Sequence, residues 1–246
     1  MSRADANVVA VVQARMSSQR LPGKVLAEID GRPALTSVLS RLARCKELSA
    51  IVLATSTGAD DDPVAEVAER AGVAVHRGSL DDVLARFAGV VSTLEADGVV
   101  RITGDCPFVE PTLVDRLVVI WRDGAADYVT NVLEPRTFPK GLDVEVLSAG
   151  AILAAAAEAV DPADREHVTS FVRSRPERFP ARGLWLKPEM AAVRVTLDTA
   201  EDLASLRSLA TELGPDPSFG SILAALGGPA EHAISELPPP GAVGAR

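Results

Sequence analysis

The segment VVAVVQARMSSQRLPGK, residues 8–24, joins an apolar run directly to a basic loop. The apolar part, residues 8–14, is rich in valine and is typical of a strand buried on both faces of a parallel sheet. The loop after it carries Arg15, Arg20 and Lys24 and no acidic residue, although the chain has a formal net charge of -9. Ligands of open α/β sheets bind outside the carboxyl ends of the strands. The loop is therefore a candidate phosphate site, and a solvated basic loop is the alternative.

Short β-branched runs alternate with longer segments of helical spacing through the first half of the chain. This alternation predicts βαβ units and an α/β fold with a mostly parallel sheet. Asp62 is expected to cap the second crossover helix ahead of Pro63. The predicted strands are 8–14, 50–55, 73–78 and 98–105, and the predicted crossover helices fall within 32–45, 60–72 and 80–98.

The pattern changes from about residue 127, where two strand-like runs are joined by a loop containing prolines instead of a helix. The runs, 127–132 and 141–148, predict a small antiparallel excursion, which we extend to about 127–180. Further on we expect a helix capped by Asp161, then a last core strand at 193–198 that turns into a helix at Thr199.

Residues 228–246 contain three consecutive prolines and many small residues, without a periodic apolar face. Such a segment buries too little surface to offset the entropy of ordering it, so we expect a flexible C-terminal tail. Residues 1–227 are then expected to form a single domain.

The composition narrows the classes of partner. A net charge of -9 and an isoelectric point near 4.9 argue against a polyanionic partner such as nucleic acid, but they leave small phosphorylated ligands open. Two cysteines, Cys45 and Cys106, offer neither a disulfide framework nor a zinc site. No apolar run is long enough for a signal peptide or a membrane span, so we expect a cytoplasmic protein without membrane contact.

Several segments occur in the order seen in one known family. They are QARMSSQRLPGKVL (13–26), RGSLDDVLARF (77–87), RITGDCPFVEPTLVD (101–115), FPKGLDVEVLS (138–148), DREHVTSFV (164–172) and VRVTLDTAEDL (193–203). The chain resembles the cytidylyltransferases of the spore coat polysaccharide biosynthesis protein F type over residues 8 to about 210. These are related to the CMP-KDO and CMP-acylneuraminate synthetases.

The resemblance implies a three-layer α/β/α, Rossmann-like nucleotide-diphospho-sugar transferase fold that binds CTP at the first loop. It also implies transfer of CMP to an anionic acceptor, foremost a sugar acid, with release of pyrophosphate. Arg15 and Lys24 would hold the β- and γ-phosphates, with Arg20 assisting. The implied nucleotide-binding residues are those three and Gln13, Ala14, Met16, Ser17, Ser18, Arg77, Gly78, Ser79, Thr103 and Gly104.

Two aspartates fall on the metal-binding positions of the family. Asp105 and Asp198 each end a predicted strand on the ligand side of the sheet, and carboxylate oxygens suit Mg²⁺, the expected cofactor. Taken singly, Asp105 also fits a turn and Asp198 a helix cap.

Two further groups are candidates for contact with the acceptor. Asp143 and Glu145 are two apart, so in a strand both face one side, where they need a cation or sugar hydroxyls. We assign them to the acceptor pocket or to a second metal, and an exposed strand face is the alternative. Arg165, Glu166 and His167 lie at the expected start of a helix, where an arginine suits an anion, and an ordinary polar first turn is the alternative.

Three other interpretations remain open from the sequence. A phosphonate acceptor would use the same nucleotide half of the site, and a nucleotide-binding module without catalysis would keep the loop. A nicotinamide-dependent oxidoreductase is disfavoured because the glycine-rich fingerprint is missing. Relatives dimerise through the excursion, so we expect a homodimer.

Overall fold

The computed structural model describes residues 3–229 and 231–236. The strands in this part are β1 (Val8–Gln13), β2 (Glu28–Ile29), β3 (Arg32–Pro33), β4 (Ala50–Ser56), β5 (Ala74–Gly78), β6 (Gly98–Thr103), β7 (Tyr128–Thr130), β8 (Glu145–Ser148), β9 (Ala181–Gly183), β10 (Trp185–Lys187) and β11 (Ala233–Ser235). The helices are α1 (Ala34–Leu42), α2 (Asp62–Arg70), α3 (Val83–Leu94), α4 (Pro111–Arg122), α5 (Ala149–Glu158), α6 (Pro162–His167), α7 (Ser170–Arg173), α8 (Ala200–Leu213) and α9 (Phe219–Ala225).

Seven of these strands form one sheet in the order β5-β4-β1-β6-β8-β7-β9. The first four are mutually parallel, and β8 runs antiparallel to both of its neighbours, so the predicted parallel sheet with a small antiparallel excursion is confirmed. From β1 the chain winds outward through β4 to β5, and then α3 carries it back across to β6 on the other side of β1. The strand order therefore reverses between β1 and β6, and a crevice opens at the carboxyl ends of these two strands.

Helices cover both faces of the sheet and complete the expected three layers. On the first face, α1, α2, α4, α8 and α9 pack against β1 residues such as Val8 and Val12. On the second face, α3, α5 and α7 pack against the alternate β1 residues Val9 and Val11. All four valines are fully buried, and each contributes about 1.5–3 kcal/mol of hydrophobic stabilisation.

The starts of three helices test the predicted caps. Asp161 caps α6 through the Ala163 N–H, and Thr199 caps α8 in a reciprocal capping box, as expected. The prediction for α2 is wrong by one residue, because Asp62 is the first residue of the helix and Asp61 holds the capping position. Its carboxylate turns away from the helix and accepts hydrogen bonds from Met16 and Ser56 instead.

The predicted core strand at 193–198 is wrong. Val195 and Leu197 are buried, so the alternation correctly indicated an extended chain with one buried side. Their N–H groups bond to the carbonyls of Lys140 and Asp105, which lie in loops, and the only pairing described for this segment is a bridge between Lys140 and Arg194. The backbone N–H groups of this extended segment are thus hydrogen-bonded to loop carbonyls and not to a neighbouring strand.

The segment expected to be a flexible tail is partly ordered. Ala233–Ser235 form β11, which pairs antiparallel with β10 through the register Leu186↔Ile234. Ile234 also packs against the first-face core, and this contact stabilises the strand. The polar and proline-rich sequence around it gives no sign of such burial. The rest of the predicted tail, apart from residues 228, 229, 231, 232 and 236, lies outside the described residues. No described helix has the length and apolar character needed to span a bilayer.

We expect Gly141→Ala to destabilise the fold by about 1–3 kcal/mol. Gly141 has φ +102°, and a Cβ there would lie 2.6 Å from the Thr196 N atom in the segment that leads to Asp198. Chemical denaturation measures the loss. Gly150→Ala is the matched control, because nothing lies within 4 Å of a Cβ at that helical position and its stability should be unchanged or slightly higher. Equal stabilities for the two variants would contradict this packing.

Candidate functional site

A cavity of about 440 Å³ opens at the carboxyl ends of β1 and β6, where the strand order reverses. Its walls come from both strand ends, the basic loop, the first turn of α3 and the end of α6. The lining residues are Gln13, Ala14, Arg15, Ser17, Ser18, Gln19, Arg20, Lys24, Val25, Val83, Arg86, Thr103, Gly104, Asp105, Glu166, His167 and Asp198.

The two strand ends are held in close contact beneath this cavity. The Gly104 N–H donates to the Gln13 carbonyl at 2.9 Å, just beyond the β1–β6 ladder. A Cβ at Gly104 would lie 2.8 Å from that of Ala14, so glycine is needed for this approach. The strand ends therefore place the start of the basic loop beside Asp105.

The basic loop is folded around the backbone of Met16. The Met16 carbonyl accepts from the N–H groups of Ser18 and Gly23, and the Met16 N–H donates to the buried Asp61 at 2.7 Å. Burial disfavours the ionised carboxylate, but hydrogen bonds from Met16 and Ser56 outweigh it and hold the pKa of Asp61 below its ordinary value. Sequence reasoning missed this anchor because three consecutive aspartates at 60–62 read as a helix cap.

Lys24 occupies the centre of the charged end of the cavity. Its Nζ donates to Asp105 Oδ2 and to Asp198 Oδ1, the latter at 2.6 Å, and its side chain is only 13% exposed. The two predicted metal ligands thus meet at one ammonium group. Burial opposes the charge on Lys24, but the two carboxylates outweigh it and raise the pKa of Lys24.

Asp198 is the most heavily paired carboxylate of the site. Besides Lys24, it contacts Arg20 at 3.1 Å and Arg194. Asp202 in turn accepts from the Asp198 N–H and binds Arg194, so the first turn of α8 fixes this carboxylate in place. Burial alone would raise the pKa of Asp198, and the surrounding cations hold it below its ordinary value.

The donor set at this end fits a magnesium ion. Asp105 and Asp198 supply hard oxygen ligands at a single point, and Mg²⁺ in proteins is usually held by one or two carboxylates together with phosphate and water oxygens. Over the described ranges, no group of three or more His, Cys, Asp or Glu side chains is placed to hold a metal. An ion held here by protein would therefore rely on ligand and water oxygens to complete its coordination.

The end of α6 contributes another part of the cavity lining. Arg15 Nη2 lies 3.2 Å from Glu166 Oε1, and His167 lines the cavity beside it. The expectation that Arg165, Glu166 and His167 start a helix is wrong, since they end α6. Arg165 instead pairs with Asp82 and is not among the lining residues of the cavity.

The structure does not bring Asp143 and Glu145 to the cavity lining or onto one strand face. Asp143 precedes β8 and pairs with Arg136, whereas Glu145 begins β8, is buried, and pairs with Arg101 and the Tyr128 hydroxyl. The cation that two such carboxylates need is supplied separately to each by an arginine.

The end of β5, the residue after it and Met16 contribute less to the cavity than the resemblance implied. Arg77, Gly78, Ser79 and Met16 are not among the lining residues, and Arg77 pairs with Asp62. Four lining residues were not predicted, namely Gln19, Val25, Val83 and Arg86, and Arg86, a buried arginine on α3, is the charged one among them. The available signal was a charged residue within the apolar repeat of residues 83–91.

Comparisons with known proteins agree with the resemblance seen in the sequence motifs. The sequence profile of a family described as cytidylyltransferase matches residues 9–210. The spore coat polysaccharide biosynthesis protein SpsF of Bacillus subtilis is 32% identical over 229 residues, which cover 89% of this chain and 94% of that protein. The 3-deoxy-manno-octulosonate cytidylyltransferase of Geobacter sulfurreducens is 37% identical over 114 residues, which cover 46% of this chain and 44% of that enzyme.

A solved structure is similar over nearly the whole chain. It is a cytidylyltransferase from Leptospira borgpetersenii, with a TM-score of 0.86 and 30% identity, and the match covers 90% of this chain and 94% of that one. The sheet and the crevice between β1 and β6 are therefore shared at the level of the fold.

Asp61→Asn should lower the free energy of unfolding at pH 7 by about 1–3 kcal/mol, because the amide cannot replace both accepted hydrogen bonds. The pKa of Asp61 is depressed by folding, so its contribution is complete above the ordinary carboxyl pKa of about 4 and is lost as the pH falls through the folded value. The deficit of the variant should therefore shrink between pH 5 and about pH 3 in denaturation experiments.

Asp62→Asn is the control for this experiment, since Asp62 is exposed and pairs only with Arg77 among the described residues. Its effect should stay below about 1 kcal/mol. A deficit of Asp61→Asn that is independent of pH would show that the carboxylate charge does not anchor the loop.

Proposed function

The chain belongs to the cytidylyltransferase family, and from this membership and the site we propose that it transfers CMP from CTP to an anionic acceptor, a sugar acid, with release of pyrophosphate. One observation carries the proposal: Lys24 joins Asp105 and Asp198 at the crevice between β1 and β6, and Arg15 and Arg20 line the same cavity. This is a site for a polyphosphate and a hard cation, built where an open α/β sheet binds its ligands.

The proposed reaction is a displacement at the α-phosphorus of CTP. An oxygen of the acceptor forms a bond to that phosphorus, and the bond between the α-phosphorus and the bridging oxygen to the β-phosphorus breaks. Pyrophosphate leaves with the electron pair of the broken bond, and the proton of the attacking hydroxyl passes to water. The products are the CMP ester of the acceptor and pyrophosphate.

The cations of the basic loop have a defined task in this reaction. Negative charge accumulates on the leaving pyrophosphate and on the non-bridging oxygens, and preorganised cations stabilise it without reorganisation at the moment of reaction. Lys24 acts as a point charge, and Arg15 and Arg20 offer planar donor forks that suit phosphate oxygens. Asp61 and the Met16 backbone hold the loop that presents all three.

Asp105 and Asp198 would hold Mg²⁺, because they supply the two carboxylates that this ion takes from proteins. When bound, the ion neutralises charge on the phosphate oxygens. Asp202 and Arg194 keep Asp198 oriented from the α8 side.

The choice of a sugar acid as acceptor is supported by the relatives. The name of the Bacillus protein refers to polysaccharide synthesis, and that of the Geobacter enzyme to 3-deoxy-manno-octulosonate, which is a sugar acid. Arg86 and His167 give the cavity further donors that suit a carboxylate.

Lys24→Ala and Asp105→Asn should each lower the rate of pyrophosphate release from CTP by at least about 10²-fold, since each removes a charge that the phosphates or the metal require. Both variants should keep the circular dichroism spectrum of the wild-type chain. Lys46→Ala is the control, because Lys46 is an exposed lysine remote from the cavity lining and should leave turnover unchanged. Wild-type turnover in both site variants would overturn the site assignment.

A panel of acceptors tests the second half of the proposal. Pyrophosphate release should occur with CTP, Mg²⁺ and at least one sugar acid, and EDTA should abolish it. Turnover with phosphonates alone would replace the sugar acid by a phosphonate acceptor. Tight CTP binding in calorimetry without turnover across the whole panel would favour a nucleotide-binding module.

A further inference from the structure

Arg86 is a buried cation with no carboxylate in direct contact among the described residues. Its side chain is fully enclosed at 2% exposure, yet it lines the cavity beside Val83 on the first turns of α3. Its Nη1 donates to the carbonyls of Ser79 and Leu80, the latter at 3.1 Å. These two neutral oxygens fix the guanidinium but do not neutralise it.

The contrast with Arg41 shows how unusual this is within the chain. Arg41 is equally buried and has Glu110 at 2.8 Å, which is the usual way to compensate an enclosed guanidinium. Among the described residues, no carboxylate oxygen lies within 4 Å of the Arg86 nitrogens, and Arg86 Nε has no hydrogen-bond partner. Burial, and then the charge of Arg15, lower the pKa of the Arg86 guanidinium, and the more distant carboxylates of Asp61 and Asp82 offset this lowering only in part.

Gln13 presents a second donor on the same side of the sheet. Arg101 Nε lies 3.0 Å from Gln13 Oε1, and because a guanidinium only donates, the atom facing it must be the amide oxygen. In the described part of the chain, the NH₂ group of Gln13 has no hydrogen-bond partner, and this side chain lines the cavity. Arg101 is itself held by Glu145, which also accepts from the Tyr128 hydroxyl.

The two donors belong to the second face of the sheet. Gln13 extends to the second face of the sheet, as Val9 and Val11 do, and α3 carries Arg86 on that face. Lys24 and Asp198 lead into α1 and α8 on the first face. The part of the cavity on the second face therefore offers the N–H donors of Gln13 and the guanidinium of Arg86, which has no carboxylate in direct contact among the described residues.

We infer that Arg86 and the Gln13 amide form the subsite for the anionic group of the acceptor, a carboxylate in a sugar acid. This inference rests on the proposed function. A neutral group such as a pyrimidine base would leave the Arg86 charge uncompensated, whereas a carboxylate neutralises it and accepts from both donors. Glu145 is then a positioning residue, because it acts on the acceptor only through Arg101 and Gln13.

Arg86→Met tests the subsite, since methionine preserves the length and apolar stem of the side chain and removes the charge. The KM for the acid that wild type uses should rise about 10- to 100-fold, which corresponds to the loss of a charge-assisted hydrogen bond. The Kd for CTP measured by calorimetry without acceptor should change less than about twofold. Arg86→Lys should give an intermediate KM because the charge is kept.

A second variant, at Gln13, tests the same subsite and leaves the buried arginine unchanged. Gln13→Glu can still accept from Arg101 but presents a negative charge to the acceptor, so its KM for the acid should also rise while the melting temperature holds. Arg70→Met is the control, because Arg70 is exposed and pairs only with Glu66 on its own helix among the described residues.

The outcomes separate this inference from the proposed function. An unchanged acceptor KM in Arg86→Met and Gln13→Glu, or a weakening of CTP binding as large as that of the acceptor, would overturn the subsite while catalysis stands. If wild type binds CTP and releases no pyrophosphate with any acid, the proposed function fails and the subsite fails with it.

Discussion

The contact of Lys24 with both Asp105 and Asp198 is the interaction on which the rest of the site depends. Its three members come from distant parts of the chain: a loop after β1, the turn after β6 and the residue before α8. Two partly buried carboxylates at one point repel each other unless a cation lies between them. The ammonium group therefore makes this convergence tolerable, and the raised pKa of Lys24 and lowered pKa of Asp198 express the same pairing from both sides.

The surrounding fold is arranged to keep this contact in place. Gly104 lets β1 and β6 approach at their ends, Asp61 holds the backbone of the basic loop, and Gly141 lets the loop before β8 pack against the segment that leads to Asp198. Under the proposed reaction, a triphosphate with Mg²⁺ would compete for the same charges, because phosphates attract the cations and the metal attracts the carboxylates. The contact is then a resting arrangement whose partners exchange when substrate arrives.

The sequence predicted those parts of the structure whose signals are local or strictly ordered. The valine-rich strands, the caps at Asp161 and Thr199 and the basic loop all depend on short segments, and the ordered motifs identified the family. The predictions were wrong where tertiary contacts determine the secondary structure of a segment. The extended backbone at 193–198 donates hydrogen bonds to loop carbonyls and not to a strand. Residues 233–235 form a strand that pairs with β10, although the residues around them are polar.

The ion-pair partners of individual charged residues could not be predicted from the sequence either. Asp143 and Glu145 looked like a shared site because they are two apart, but each has its own arginine, and neither Arg136 nor Arg101 could be assigned from spacing. Arg41 and Arg86 both interrupt apolar helix faces and are indistinguishable in sequence, yet one is neutralised by Glu110 and the other is not. A buried arginine contributes to stability when the fold supplies its counter-charge. Where the fold places no carboxylate in contact with the guanidinium and opens a cavity beside it, we infer that the anionic group of the ligand is the partner.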